Sequence, residues 1–399
     1  MKKDLDELAI FGGEPIFDHL KHVGRPNIGN RENFYARVED ILNRNWLTNN
    51  GPYLKEFEHK LAEFLGVRNC IAMCNATIGL EIMARALGVQ GQVIVPSFTF
   101  IATAHALQWQ KINPVFCDVD PLMHNIDPEK IVSLITSETT AILGVHVWGR
   151  ACNIEMLTKI ASEHNLKLMF DAAHAFGCSY KGKMIGGFGD AEVFSFHATK
   201  FFNSFEGGAV TTNSDILADK IRRMRNFGFQ GLDNVVDIGI NGKMSEISAA
   251  MGLTSLDSLQ DFILVNHENY LEYVKGLEGI SGVRLVQYDE MENNNYQYIV
   301  IELDENYGGI DRNTLIEILS AENIKARRYF YPGCHQMEPY YSTCSNGTQH
   351  LLETEKLVKK VVQLPTGTAV SRDNVSEICS LIQLAINNST EINRRLKKG

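Results

Sequence analysis

The chain has 399 residues, which exceeds the size at which a single hydrophobic core usually stops growing, so two domains are expected. Hydrophobic residues make up 44% and charged residues 22%, the composition of a soluble globular enzyme. The net charge of −10 argues against a surface that binds nucleic acid or an anionic membrane, although a local pocket can still bind a small anion.

Cysteine usage and the charged first residues predict a cytoplasmic protein. The chain has eight cysteines and no Cys-x-x-Cys pair, the closest spacing being Cys70-x-x-x-Cys74, so we expect neither a disulfide framework nor a metal site. Residues 1–7 are charged and lack the apolar stretch of a signal peptide. The longest apolar runs, such as 141–148, are too short to span a bilayer, so no membrane association is expected.

From about residue 70 the chain alternates between predicted helices and strands. Apolar residues at helical spacing predict a helix over 77–87, and a second helix is expected over 155–165. Short apolar runs predict strands at 93–95, 114–117, 141–145 and 166–170. Strands separated by helices indicate a mostly parallel sheet that is covered on both faces. We expect the ligand site beyond the carboxyl ends of these strands.

The second half predicts a loop between two strands and then a smaller unit. Strands are expected at 192–196 and 208–212, with Lys200 in the loop between them. Helical spacing over 245–274 predicts a long connecting helix. The remaining predicted elements are a strand at 296–303, a helix at 312–321, a strand at 361–364 and a helix at 374–387.

These elements predict an α/β protein of two domains. The large domain, which contains the mostly parallel sheet, is expected over residues 1–260 and includes an N-terminal segment over 1–50. The small C-terminal α/β domain is expected over 261–399. We see no internal repeat that would indicate a different architecture.

Lys200 lies in a motif that favours covalent catalysis. It ends the block Ser195-Phe-His-Ala-Thr-Lys200, precedes two phenylalanines and lies before the turn Glu206-Gly-Gly208. Most lysines are exposed surface residues, which is the alternative interpretation. A lysine in an apolar loop between two core strands is instead suited to forming a Schiff base, because the amine must be held unprotonated in a shielded pocket.

Asp171 ends an apolar run in Phe170-Asp-Ala-Ala-His174. An aspartate at a strand end is often only a helix cap. A carboxylate there also suits a cofactor that needs an anionic partner on a pyridinium nitrogen. Together with Lys200, Asp171 predicts pyridoxal phosphate as the cofactor. His174 is interpreted either as a cofactor contact or as a buried, satisfied histidine.

Two further segments predict contacts to the cofactor. Asn75-Ala-Thr-Ile-Gly79 opens a predicted helix, and free N–H groups at a helix N-terminus bind phosphate, although Asn75 or Thr77 can also be a plain cap. Ser195 is a second candidate phosphate donor. Phe100, in Pro96-Ser-Phe-Thr-Phe100, either stacks on the cofactor ring or belongs to the core.

Blocks spread over nearly the whole chain occur in the order found in one family of enzymes. They are Trp46-Leu-Thr-Asn-Asn-Gly-Pro52, Asn75-Ala-Thr77, Pro96-Ser-Phe-Thr-Phe100, His146-Val-Trp-Gly149, Asp171-Ala-Ala-His-Ala175, Ser195-Phe-His-Ala-Thr-Lys200, Glu206-Gly-Gly208, Asn241-Gly-Lys-Met-Ser-Glu246 and Arg328-Tyr-Phe-Tyr-Pro332. The chain thus resembles the DegT/StrS-type nucleotide-sugar aminotransferases. These are pyridoxal phosphate-dependent transferases of fold type I, the aspartate-aminotransferase fold.

The resemblance implies roles for individual residues. It implies that Lys200 bonds covalently to the cofactor and that Asp171 binds the pyridine nitrogen. Phe100 is implied to stack on the ring, and His174 to contact the cofactor near its ring oxygen. The implied catalytic residues are therefore Lys200 and Asp171.

The resemblance also implies contacts to phosphate and substrate. The cofactor phosphate is implied to be held by Ala76, Thr77 and Ser195. Asn241 is implied to reach the phosphate of the neighbouring subunit, so the active unit should be a homodimer. The residues implied to contact the nucleotide sugar are Lys243, Arg328, Tyr329 and His335. Many relatives have Gly where this chain has Ala76, which changes little if a backbone N–H binds the phosphate.

The implied reaction moves an amino group from L-glutamate to a nucleotide-linked 4-keto-6-deoxy sugar. The block Phe201-Phe-Asn-Ser-Phe-Glu206 is most similar to enzymes that make dTDP-4-amino-4,6-dideoxyglucose (viosamine). Alternatives are a 3-keto-sugar aminotransferase, a sugar dehydratase of the same family, and a non-catalytic regulatory protein. Lys200 argues against the dehydratases, which resemble this family but place histidine there. A Rossmann-type oxidoreductase is not favoured, because no Gly-x-Gly-x-x-Gly follows an early strand.

Overall fold

A computed structural model describes residues 2–343 and 350–397. The helices are α1 (Arg31–Arg44), α2 (Pro52–Leu65), α3 (Ala76–Ala86), α4 (Ala102–Gln108), α5 (Pro128–Ile131), α6 (Ile154–Glu163), α7 (Asp215–Arg225), α8 (Glu246–Asp257), α9 (Leu259–Leu277), α10 (Glu305–Gly308), α11 (Arg312–Ala321), α12 (Tyr340–Thr343), α13 (Leu352–Lys360), α14 (Arg372–Asn387) and α15 (Ser389–Leu396). The strands are β1 (Lys21–His22), β2 (Asn69–Met73), β3 (Gln92–Pro96), β4 (Asn113–Cys117), β5 (Thr139–Val145), β6 (Lys167–Asp171), β7 (Ser179–Tyr180), β8 (Lys183–Met184), β9 (Ala191–Ser195), β10 (Gly208–Thr212), β11 (Val283–Leu285), β12 (Ile299–Leu303), β13 (Ile324–Lys325) and β14 (Val361–Leu364).

The central sheet has seven strands in the order β2-β10-β9-β6-β5-β3-β4. The five strands from β9 to β4 pair in parallel, whereas β10 runs antiparallel to both of its neighbours. This arrangement confirms the predicted α/β fold with a mostly parallel sheet. The six strands predicted between residues 93 and 212 all form, and their ends differ from the prediction by at most two residues.

Both faces of the central sheet are covered by helices, because neighbouring side chains of a strand point to opposite faces. In β2, Cys70 and Ala72 point into one apolar core, which helices α2, α6 and α8 complete. Their neighbours Ile71 and Met73 point into a second core, which α3, α4 and α7 complete. A strand buried on both faces reads as a continuous apolar run, which is why six of the seven strands were recognisable in the sequence, whereas β2 was not predicted.

A third core lies in the C-terminal half and includes the beginning of the chain. It surrounds a three-stranded antiparallel sheet of the order β11-β12-β14 and helices α9, α11 and α14. Leu5, Leu8 and Phe17 are buried in this core. The buried carboxylate of Glu322 accepts hydrogen bonds from the backbone N–H of Ala9 and from that of Ile16, each at 2.8 Å. The first residues of the chain are thus fixed to its C-terminal half.

The N-terminal segment also pairs with the C-terminal half through backbone hydrogen bonds. Strand β1 runs parallel to β13, with Lys21 opposite Ile324 and His22 opposite Lys325. The predicted domain division at residue 260 stays a prediction. We propose that residues 5–22 be counted with the small domain rather than with the large one.

The long helix predicted over 245–274 is two helices in the structure. Helix α8 begins after Ser245, whose side chain accepts a hydrogen bond from the backbone N–H of Ser248. It ends at Asp257, and α9 begins after Ser258, which has φ −104° and ψ 9°. Helical periodicity continues across this break because Leu259 and Phe262 still pack in the core of the large unit. The pattern of apolar residues therefore could not show the break.

Two further findings concern the described residues only. No helix in this part of the chain is long and apolar enough to cross a membrane. Its cysteines carry free thiols, and all of them are buried except the half-buried Cys74. Cys344 lies outside the described residues.

Candidate active site

A cavity of about 520 Å³ lies beyond the carboxyl ends of the central strands, which is the size of a site for a cofactor or small ligand. It brings together eight of the residues predicted from the sequence. These are Ala76, Thr77, Phe100, Asp171, His174, Ser195, Lys200 and Tyr329. Because they come from segments far apart in the chain, from Ala76 to Tyr329, the fold is what assembles the site.

Lys200 lies in the loop that follows β9. Its backbone N–H donates to the carbonyl of His197 at 2.8 Å, which turns the side chain back toward the cavity. The amine Nζ donates a hydrogen bond to the hydroxyl of Tyr298 at 2.9 Å. Burial lowers the pKa of Lys200 to about 8, although the carboxylate of Asp171 opposes that shift. An amine with such a pKa is available in its unprotonated, nucleophilic form near neutral pH.

Asp171 is the last residue of β6, and its carboxylate is buried. One oxygen, Oδ2, accepts a hydrogen bond from Thr103 Oγ1 at 2.8 Å, and Oδ1 accepts one from the backbone N–H of Ala173 at 3.0 Å. Burial raises the pKa of Asp171, whereas the hydrogen bonds from Thr103 and Ala173 and the charge of Lys200 lower it. The residue is thus a buried carboxyl group whose two oxygens hydrogen bonds hold in a fixed orientation.

The N-terminus of α3 forms another side of the cavity. The side chain of Asn75 accepts from the backbone N–H of Ile78 and caps the helix. The N–H groups of Ala76 and Thr77 belong to the first turn, where a helix offers no intrahelical acceptor. Strand β10 approaches this turn closely, since a Cβ on Gly208 would lie 2.7 Å from the nitrogen of Ala76. The arrangement is a typical anion-binding site.

His174 and Phe100 line the cavity in different ways. Nδ1 of His174 accepts the backbone N–H of Trp148 at 3.2 Å, and its ring packs on Tyr298 with centroids 4.3 Å apart. Burial lowers the pKa of His174 well below its ordinary value, so the ring is neutral and carries its proton on Nε2. Phe100 is 56% exposed. It is therefore not a core residue in this chain, whereas its neighbour Phe98 is fully buried.

Four residues predicted to bind substrate or cofactor do not line the cavity of this chain. They are Asn241, Lys243, Arg328 and His335. Asn241 is exposed, and the amine of Lys243 lies 4.4 Å from the ring centroid of Phe227. The guanidinium of Arg328 lies 5.0 Å from the ring centroid of Tyr331. The roles of these residues stay predictions.

His335 is held by hydrogen bonds within the protein. Its Nδ1 lies 2.6 Å from Ser97 Oγ, and its Nε2 lies 3.5 Å from a carboxylate oxygen of Glu355. The neighbouring N–H of Cys334 donates to the carbonyl of Ser97 at 2.9 Å. These contacts fix the segment after Tyr329 against the end of β3.

The structure adds residues that the sequence analysis missed. Thr103 holds Asp171, and Tyr298 holds Lys200. Arg327 lines the cavity, and its buried Nε has no hydrogen-bond partner among the described residues. His22 also lines the cavity, and partial burial together with the charge of Arg327 lowers its pKa. Arg327 is the neighbour of Arg328 in the chain, and only Arg328 was predicted from the sequence.

The geometry fits pyridoxal phosphate. The cofactor needs an anion at its pyridine nitrogen, an amine for covalent attachment and donors for its phosphate. The cavity offers Asp171, Lys200 and the first turn of α3 with Ser195 for these three purposes. The close approach that Gly208 permits leaves the helix N-terminus open to a phosphate.

Comparison with known proteins agrees with this geometry. A model of the DegT/DnrJ/EryC1/StrS aminotransferase family matches residues 29–383. A dTDP-4-amino-4,6-dideoxy-D-glucose transaminase of Shigella dysenteriae is 38% identical over 370 residues, which cover 93% of this chain and 99% of the relative. A GDP-perosamine synthase of Vibrio cholerae is 31% identical over 368 residues, which cover 90% of this chain and 98% of the relative.

A solved structure shows the same fold along the whole chain. It is that of DesI in the presence of its TDP-sugar product, which is 46% identical and superposes with a TM-score of 0.94. The match covers 99% of this chain and all of the other. The chain belongs to the DegT/DnrJ/EryC1/StrS aminotransferase family, which confirms the prediction of an aminotransferase that uses pyridoxal phosphate.

Proposed function

We propose that the enzyme transfers the amino group of L-glutamate to dTDP-4-keto-6-deoxy-D-glucose and so forms dTDP-4-amino-4,6-dideoxy-D-glucose. The observation that carries this proposal is the presence of the Lys200 amine and the Asp171 carboxylate in one cavity. The sugar and its nucleotide are supported by the 38% identical transaminase and by the structure of DesI with its TDP-sugar product. The lower identity of the GDP-perosamine synthase favours dTDP over GDP.

We assign the roles in the reaction as follows. Pyridoxal phosphate, when bound, supplies a ring that accepts negative charge from the α carbon of the donor. Asp171 would keep a proton on the ring nitrogen, because its buried carboxylate would pair with the positive charge there. Lys200 Nζ would take the proton from the α carbon of the donor and pass it to the cofactor. Ala76, Thr77 and Ser195 bind the phosphate, and the flanking aromatic residues Phe100 and His174 exclude water.

The proposal includes a homodimer. The segment 227–240 exposes six large apolar side chains, Phe227, Leu232, Val235, Val236, Ile238 and Ile240. Exposed apolar side chains in such number on one segment are typical of a surface that another protein covers. A second copy that covers it brings Asn241 and Lys243, which follow directly in the chain, to the neighbouring cavity. Light scattering should give the mass of a dimer, and a monomer that retains full activity would contradict this part of the proposal.

We also propose that the enzyme lies in the cytoplasm, as predicted from the sequence. The thiols of Cys70, Cys117 and Cys152 are free and buried, as is common in a reducing compartment. Fractionation of cells that express the enzyme should place the activity in the cytoplasmic fraction. Recovery of the activity outside the cytoplasm would contradict this part.

Transfer of labelled nitrogen tests the reaction. The enzyme is loaded with pyridoxal phosphate, given nitrogen-labelled L-glutamate, and then offered one of three acceptors. These are dTDP-4-keto-6-deoxyglucose, its 3-keto isomer and a GDP-linked 4-keto-6-deoxy sugar. We expect label in the product of the first acceptor, at carbon 4 by NMR. Label only in the second or third product would reject the proposed substrate, and release of unlabelled dehydrated sugar would reject aminotransfer.

A further inference from the structure

Tyr298 makes the closest polar contact of the Lys200 amine. Its hydroxyl accepts the hydrogen bond from Nζ at 2.9 Å. Tyr298 is only 4% exposed although it lines the cavity. Its hydroxyl therefore lies at the end of a buried ring and does not move freely in solvent. Within the described residues, no other hydrogen-bond acceptor of this amine is present.

The ring of Tyr298 is fixed from several sides. It packs on His174 with centroids 4.3 Å apart and on Trp148 with centroids 5.4 Å apart. Its backbone is held as well, because the N–H of Tyr298 donates to the hydroxyl of Tyr288 at 3.2 Å and that hydroxyl donates to the carbonyl of Tyr298 at 2.9 Å. A side chain held in this way presents its hydroxyl at one place.

The chemistry of a phenol suits this contact. Burial raises the pKa of Tyr298 well above its ordinary value, so the hydroxyl stays neutral. A carboxylate in its place would favour the ammonium form of Lys200, because an opposite charge stabilises the charged form. A neutral acceptor instead orients the amine and leaves its lone pair available. Asp171 supplies negative charge to the cavity but no hydrogen bond to Nζ.

We propose that Tyr298 is a positioning residue for Lys200, whose phenolic oxygen holds the lysine amine at a fixed place while the amine is not bonded to the cofactor. This inference rests on the proposed role of Lys200 in moving the proton. In that interval the amine would otherwise rotate about the four single bonds of its side chain. The hydrogen bond to Tyr298 restricts it to the wall of the cavity that carries His174 and Asp171.

The first test uses the enzyme without cofactor. Lys200 is methylated with formaldehyde and cyanoborohydride at a series of pH values, and the modification is quantified by peptide mass spectrometry. Removal of the acceptor in Tyr298→Phe should lower the pH midpoint for Lys200 by at least about half a unit, because the ammonium gains more from a hydrogen bond than the neutral amine does. The matched control is Tyr329→Phe, which removes a hydroxyl of the same cavity that Lys200 does not contact, and it should leave the midpoint in place.

The second test uses the loaded enzyme. Tyr298→Phe should lower kcat about tenfold, with a change in the KM of the keto sugar of less than about twofold, because a misplaced base affects the proton transfer and not ground-state binding. The deuterium isotope effect with α-deuterated glutamate should rise. Tyr298→Met, which also lacks the hydroxyl, provides the same measurements if the phenylalanine variant does not fold.

The outcomes separate the two proposals. An unchanged methylation midpoint in Tyr298→Phe, or an equal shift in Tyr329→Phe, overturns the role of Tyr298. An unchanged isotope effect together with a raised KM also overturns it, because that pattern indicates a substrate contact. Failure of the wild-type enzyme to aminate any keto sugar rejects the proposed function instead, and the methylation midpoint still decides whether Tyr298 holds the amine.

Discussion

The cavity has two walls of different origin. The first wall consists of residues at the ends of central-sheet elements, such as Asp171 after β6, Lys200 after β9 and the first turn of α3. The second wall comes from the beginning of the chain and from its C-terminal half, and it includes His22, Arg327 and Gln363. The first wall carries the groups suited to the chemistry, and the second carries a guanidinium suited to binding an anion. Variants of the two walls should therefore differ in the kinetic constant that they change.

The largest effect is expected at Lys200. Lys200→Ala should still bind the cofactor but lower kcat by at least roughly a thousandfold, because it removes both the covalent attachment and the base. Borohydride reduction followed by mass spectrometry should show no covalent cofactor. The exposed Lys183 provides the control, and Lys183→Ala should retain wild-type turnover. Substantial residual turnover of Lys200→Ala would end the assignment of this residue.

Asp171 should come next on the first wall. Asp171→Asn keeps the shape of the side chain but not its charge, so kcat should fall roughly a hundredfold while the KM values change little. Because the variant no longer buries a carboxylate, its thermal unfolding temperature should not fall. Steady-state kinetics and calorimetry measure these quantities. Near-normal turnover would show that the cofactor does not need an anion here.

A variant of the second wall should act on binding. Arg327→Gln removes the guanidinium of a residue that lines the cavity and whose buried Nε has no hydrogen-bond partner in the described part of the chain. We expect the KM of L-glutamate to rise about tenfold, with kcat within about threefold of wild type, because a carboxylate loses a bidentate partner. Arg328→Gln, measured in parallel, should instead raise the KM of the nucleotide sugar. If Arg327→Gln lowered kcat as much as Asp171→Asn does, the two walls would not differ in function.

The smallest effect is expected at Thr103, whose hydroxyl donates a hydrogen bond to Asp171. Loss of the hydrogen bond from Thr103 Oγ1 in Thr103→Val disfavours the carboxylate, so the pKa of Asp171 should rise. Since the ionised form is the active one, the acidic limb of kcat/KM should move to higher pH by about one unit. Thr99, whose hydroxyl lies 2.9 Å from that of Thr103, provides the control, and Thr99→Val should shift the limb less. If the acidic limb of kcat/KM in Thr103→Val stayed in place or moved to lower pH, the proposed role of Thr103 would be wrong.

The same contrast explains what could be predicted from the sequence. Residues of the first wall lie in short blocks at the ends of strands, and a block such as Ser195-Phe-His-Ala-Thr-Lys200 carries its own evidence. The second wall depends on contacts between distant segments, such as the pairing of His22 with Lys325. No periodicity or motif within either segment indicates this pairing. Sequence reasoning consequently did not find Arg327, which lines the cavity, and the predicted role of Arg328 stays a prediction.

Supporting contacts were missed for a related reason. Thr103 and Tyr298 are ordinary residues of a helix and of the approach to a strand, and only the packing of α4 and β12 around the cavity brings them to Asp171 and Lys200. His335 was expected near substrate because of the resemblance, and in the structure two side-chain contacts hold it outside the lining of the cavity, so its role stays a prediction. A motif thus indicates the region of a residue better than the direction of its side chain.

The attachment of the beginning of the chain to the C-terminal core has a consequence for synthesis on the ribosome. Leu5, Leu8 and Phe17 pack with residues such as Tyr270 and Ile392, which are translated much later. At ordinary rates of translation, a gap of about 250 residues corresponds to roughly 13–50 s. During that time the apolar side chains of the first segment have no native partners in the C-terminal half, so nascent chains of this enzyme offer a binding site for chaperones until residues such as Tyr270 have emerged.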